Sequence, residues 1–142
     1  MVKHIFSLLV CALFATLASA QTLTGVWKTI DDETGKEKSH LEIFEKEGKF
    51  SGKIVKLLSS PSDKVCDKCV GDKKGKPLMG MVLVEGLYAK DGMWTGGNIM
   101  DPNKGSTYGC SVWFETGNSD ILNVRGKHWT GLYRTQKWYR VK

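Results

Sequence analysis

The sequence predicts an all-β chain: one domain built as a single antiparallel up-and-down β-barrel of about eight strands, with one long Cys-containing loop. Three observations lead there. Apolar and polar residues alternate over short segments, and no stretch of a dozen residues sustains an i, i+3, i+4, i+7 pattern. All 16 glycines follow Thr24, against 3 prolines, and most fall in or beside turn sequences between the alternating segments. All but one of the connections are too short for crossovers, so the strands that they join are antiparallel neighbours, and closing the meander removes both of its exposed edges.

In chain order, the first segment, Thr24 to Ile30, ends at Asp31-Asp32-Glu33-Thr34-Gly35. The second, Lys38 to Phe44, turns at Glu47-Gly48 into the third, Lys49 to Leu57. A long connection from Ser59 to Met79 follows, dense in mixed charge and without periodicity; loops of this length tend to be functional or pinned. Gly80 to Tyr88 and Gly92 to Met100 are joined through Asp91-Gly92, and Pro102-Asn103-Lys104-Gly105 leads into Thr107 to Glu115. Gly117-Asn118 precedes Asp120 to Gly126, and Gly131 to Val141 is the last segment. A barrel of this strand number is filled by its own side chains or holds one small ligand.

Length and composition agree with one such domain: of 142 residues, 41% are hydrophobic and 25% charged. Met1 to Ala20 reads as a secretory signal peptide, with Lys3 and His4 ahead of an apolar run from Ile5 to Leu17 and the small triplet Ala18-Ser19-Ala20 at its end. The run is short for a membrane span, so none is expected after signal removal. Val10 makes a lipoprotein reading through Cys11 unattractive. Lys3 leaves with the signal, so 20 of the 21 basic residues remain against 15 acidic ones, a formal +5. Lysines spread among carboxylates, with only Arg125, Arg134 and Arg140 as arginines, describe a solvated surface, and a nucleic-acid partner is excluded. The expected location is periplasmic or secreted.

The mature chain would keep Cys66, Cys69 and Cys110, an odd number for an oxidising compartment. A Cys66–Cys69 bridge closes a small ring, contributing about 2 kcal/mol on the loop-entropy account, whereas Cys69–Cys110 would enclose roughly forty residues and contribute about 4 kcal/mol. Alternation opposes the longer link, because Tyr108, Cys110, Val112 and Phe114 share one apolar face. The expectation is Cys66–Cys69 as a pin for the loop and Cys110 as a buried thiol, with Cys69–Cys110 the alternative. Zinc lacks finger spacing in His40 and His128, and a thioredoxin-like pair lacks its strand-helix context. Gly71-Asp-Lys-Lys-Gly75-Lys76 fails as a phosphate loop, with Pro77 where Ser or Thr should stand, and Asp101 to Gly105 lacks the downstream Glu of a calcium loop. Neither Gly-x-Ser-x-Gly nor His-Glu-x-x-His occurs, so no catalytic residue, metal or cofactor is expected, and a binding protein is favoured over an enzyme.

Gly25-Val26-Trp27 near the mature start and Trp138-Tyr139-Arg140-Val141 at the end resemble the calycin group of barrels, the lipocalins and their relatives. The resemblance implies structural closure by Trp27 with Arg140, Arg125 being the substitute, through a cation–π contact. The chain from Gly25 to Val141 also resembles the bacterial family DUF2147. The match runs through Thr34-Gly35-Lys36, Gly52-Lys53-Ile54-Val55-Lys56-Leu57, Cys66-Asp67-Lys68-Cys69, Lys76-Pro77-Leu78-Met79-Gly80-Met81, Trp94-Thr95-Gly96-Gly97, Gly105-Ser106-Thr107-Tyr108 and Arg134-Thr135-Gln136. Met100 departs from it, standing where a branched aliphatic residue is expected. The family implies a lipocalin-like barrel in the bacterial envelope and brings no established reaction.

On the last strand Leu132, Arg134, Gln136, Trp138 and Arg140 share one face, and either face fits the interior. Turned inward, Arg134 and Gln136 need partners: an anionic or amide ligand, Glu42, Tyr108 or internal water. The ligand-binding candidates are Arg134, Gln136, Tyr108, Trp94 and Phe44, with Val55, Val82, Ile99, Val112 and Leu122 as further wall positions. The expected function is binding of a small, partly apolar ligand in or at the mouth of the barrel. One alternative is a packed barrel whose Ser59 to Met79 loop docks on an envelope protein partner. A second is thiol-disulfide chemistry at Cys66 and Cys69.

Overall fold

Alternation and turn chemistry set the strands, and the chain joins them edge to edge. The structure is a computed structural model that describes residues 22–142; the expected signal peptide, with Cys11 in it, lies outside the described residues. Eight strands run in chain order: β1 (Gly25–Ile30), β2 (Glu37–Lys46), β3 (Lys49–Leu57), β4 (Val82–Lys90), β5 (Met93–Asp101), β6 (Ser106–Glu115), β7 (Asn118–Lys127) and β8 (Tyr133–Arg140). Each pairs antiparallel with its sequence neighbours and β8 returns to β1, giving a closed up-and-down barrel. β2 runs two residues past Phe44 to meet its turn, while β4 and β8 each start two residues later than alternation suggests.

The turns follow the same local chemistry. At Glu47-Gly48 and Asp91-Gly92 both residues take positive φ, between 51° and 77°, the two-residue hairpin that matches strand twist. These turns and the β6–β7 connection lie at one end of the barrel; the other four connections form the opposite end. The ends differ. The first is plugged by aromatic rings: Trp94 meets Phe114 edge-on at 5.2 Å and Phe50 at 6.1 Å, and Phe114 stacks on Trp27 at 6.3 Å.

Trp27 is fully buried, and its indole N–H donates to the Leu23 carbonyl at 3.0 Å. The Arg140 guanidinium lies 4.3 Å from the centroid of that ring. Its Nε donates to Asp120 Oδ1 at 3.1 Å, and Nη2 to the carbonyls of Thr22 and Ser119 at 3.0 and 3.1 Å. A half-buried cation whose donors are matched and whose face covers an aromatic ring is a favourable arrangement. Gly25 takes φ 131° beside it, a backbone conformation that side-chain-bearing residues rarely adopt.

The long β3–β4 connection is pinned, as its length requires. Cys66 and Cys69 form a disulfide. Val65 bridges Pro77, the Cys66 amide donates to the Lys76 carbonyl at 2.8 Å, and the Leu78 amide to the Lys64 carbonyl at 2.9 Å. Both disulfide sulfurs are buried against the β5–β6 end, Cys66 Sγ 3.7 Å from the Pro102 carbonyl oxygen and Cys69 Sγ 3.9 Å from Met100 Sδ.

Cys110 is free and buried on the inner side of β6, and burial pushes its thiol up to about 12 from an ordinary 9.0. The folded state therefore favours the neutral thiol. Its contribution to stability is complete below pH 9 and fades as pH rises from there toward 12. Iodoacetamide at pH 8 is expected to leave native protein unmodified while labelling one thiol per urea-unfolded chain. Native labelling at the rate of a free thiol would show Cys110 to be accessible.

Candidate functional site

At the end opposite the aromatic plug the barrel is not filled. Small and aliphatic residues project inward there, and a cavity of about 930 Å³ opens to solvent. Leu41 on β2, Ile54 on β3, Leu83 on β4, Ile99 on β5, Val124 on β7 and Trp138 on β8 supply apolar wall. Within it the Thr29 and Ser39 hydroxyls satisfy each other at 2.8 Å, so this polar pair is buried at little cost. The rim is polar and mixed in charge, with Asp31, Asp32, Glu33 and Asp101 facing Lys38, Lys104, His128 and Arg134.

β8 turns its Arg134, Gln136, Trp138 face to this space, and three of the candidates from sequence line it: Arg134 and Gln136 from β8 and Tyr108 from β6. Ile99 lines the cavity as well. The other two do not. Phe44 sits on the outer face of β2, under Lys53 Nζ at 5.5 Å, because its neighbour Ile43 takes the inward position. Trp94 belongs to the aromatic plug at the far end. Val55 and Val82 are likewise absent from the lining, and Val112 and Leu122 are packed core.

The partner of the two polar β8 side chains is one that sequence reasoning missed. Glu42 points outward to Lys53 at 3.7 Å. Asp32, from the β1–β2 connection, instead meets Arg134 Nη2 through Oδ2 at 3.1 Å and accepts a hydrogen bond from Gln136 Nε2 on the same oxygen. The signal was present in the doubled Asp31-Asp32. Asp31 alone makes the turn, accepting the Glu33 and Thr34 amides at 2.9 and 2.8 Å. Those amides hold the Asp31 carboxyl below the usual range. The second aspartate is free to reach across to β8.

The β7–β8 connection adds an apolar lip. It is held by the His128 amide on the Leu132 carbonyl at 2.7 Å, yet Trp129 is 89% and Leu132 76% exposed. Among the described residues no group of three His, Cys, Asp or Glu is placed to hold a metal ion, and no helix is long and apolar enough to cross a membrane.

A family model described as "Uncharacterized protein conserved in bacteria (DUF2147)" matches residues 25–140. Among solved structures the chain is similar to protein HP1028 from Helicobacter pylori, described as belonging to the lipocalin family. The TM-score is 0.73 at 22% identity, over 85% of this chain and 84% of that one. At that identity the likeness is one of fold. No curated protein matches.

Proposed function

This chain belongs to the DUF2147 family of bacterial proteins, and from that membership and its half-hollow barrel we propose that it is an exported protein that binds one small, partly apolar ligand. The observation that carries the reading is the cavity: about 930 Å³, apolar within and polar at its rim, in the size range of small-molecule sites. Enclosure drives binding, since each Å² of apolar ligand surface removed from water contributes roughly 25 cal/mol. The rim fixes orientation, with Arg134, Gln136 and Tyr108 nearest the mouth. Export to the periplasm or medium is supported by the signal-like residues 1–20 and by the Cys66–Cys69 disulfide.

The alternatives are weaker on the same geometry. A packed barrel acting only through its loop has to explain the open interior. Exchange at Cys66 and Cys69 has to explain why both sulfurs are buried, since attack needs access.

Protein purified from its own host is expected to carry a small-molecule adduct in native mass spectrometry. Filling the space by Val124→Trp is expected to remove that adduct and to weaken 8-anilinonaphthalene-1-sulfonate by at least about tenfold, with the barrel's circular dichroism kept. Equal dye affinity in the folded variant would place binding outside the barrel and end this reading.

A further inference from the structure

The cluster of Asp32, Arg134 and Gln136 at the mouth is more ordered than turn formation requires. The Trp138 indole N–H faces the interior, and an indole only donates, so it needs an acceptor; it finds Gln136 Oε1 at 3.2 Å. That bond fixes which way the amide lies. Gln136 Nε2 is left aimed at the mouth, where it donates to Asp32 Oδ2, the oxygen that Arg134 Nη2 also meets at 3.1 Å. Two donors on one face of β8 thus converge on one carboxylate oxygen at the edge of an apolar cavity.

We propose that Arg134 and Gln136 form a carboxylate seat, that Asp32 occupies it in the unliganded protein, and that the ligand is an amphiphilic monocarboxylate whose head group displaces Asp32. Its tail enters the cavity; the inference rests on the ligand-binding reading above. Displacement is feasible because the pair is wet: the Arg134 and Asp32 side chains are 59% and 31% exposed, and exposed ion pairs are weak. Asp31 holds the turn, so Asp32 withdraws without unravelling the β1–β2 connection. A single negative charge suits the site, since Asp31, Glu33 and Asp101 outnumber Lys38 and Lys104 at the same rim and disfavour a dianion.

Decanoate, decan-1-ol and decyltrimethylammonium, titrated at pH 7 against the dye-loaded protein, test this. Decanoate is expected to compete, about tenfold more weakly in Arg134→Leu and in Gln136→Glu, which keeps the acceptor for Trp138 while removing the donor. Asp32→Ala is expected to tighten decanoate about threefold or more, and decanol is expected to stay within about twofold throughout. If both competitors bind and no variant separates them, the cavity reading stands and the carboxylate seat is overturned. Tighter binding of the ammonium, lost in Asp32→Ala, would make Asp32 the recognition group and overturn the seat as well. If none displaces the dye, both readings fall together.

Discussion

Replacing Trp27 by Ala is expected to cost about 3 to 5 kcal/mol, much of the stability of a domain this size. The indole is fully buried and joins three parts of the closed end: the Leu23 carbonyl that it bonds, the Phe114 ring on which it stacks, and the Arg140 guanidinium that it carries. Alanine would leave a void there and an orphaned carbonyl, and would strip the cation of its aromatic floor. Trp27→Phe keeps a ring under Arg140 and loses only the N–H and some volume, so its cost is expected to be nearer 1 to 2 kcal/mol, estimated from the lost hydrogen bond and partial cavity. Urea unfolding of the two variants reads the difference. A loss under about 1 kcal/mol for the alanine variant would mean that the plug is not what closes the barrel.

The second large effect is expected at Gly105, where the pinned loop rests on the β5–β6 turn. A Cβ there would lie 1.9 Å from the Lys68 carbonyl oxygen, and the residue sits at φ 69°. Neither atom has room to yield, since the obstacle is backbone two positions from Cys66. Gly105→Ala is expected to cost about 3 kcal/mol, from overpacking together with left-handed strain. It should also lift the loop and expose Cys66 and Cys69 to dithiothreitol. Gly117→Ala is the control, at φ 73° with nothing within 4 Å of the added carbon. It carries the strain alone, about 1 kcal/mol. Equal losses in the two variants would show that the loop gives way freely, and reduction no faster than in the unaltered protein would show that it stays seated.

The barrel was legible because alternation and turn chemistry are local. Each hairpin announces itself in residues such as Glu47-Gly48 or Asp91-Gly92, and closure follows from the short connections. The site was legible in part. Placing Arg134 and Gln136 on one face needed only the period of a strand. Alternation does not report height along the barrel axis, which is why Trp94 read as cavity wall and lies in the plug. It also fails where two large apolar residues adjoin. Ile43 and Phe44 compete for one inward position, and the register shift between His40 and Leu41 belongs to pairing with β3, which no local pattern reveals. Asp32 escaped notice for a different reason: its partner stands about a hundred positions away, beyond the reach of any window.

The junction between β1 and β8 is short. It comprises Trp27 opposite Arg140 and Lys28 opposite Tyr139, with the Val141 amide on the Val26 carbonyl beside them. These partners are separated by nearly the whole described chain, so the ring cannot shut until the last strand has been made and delivered. Until that moment the sheet is an open ribbon with two unsatisfied margins, and such distant contacts form slowly, on the order of milliseconds to seconds. A newly made copy of this protein passes that interval open to pairing with other chains.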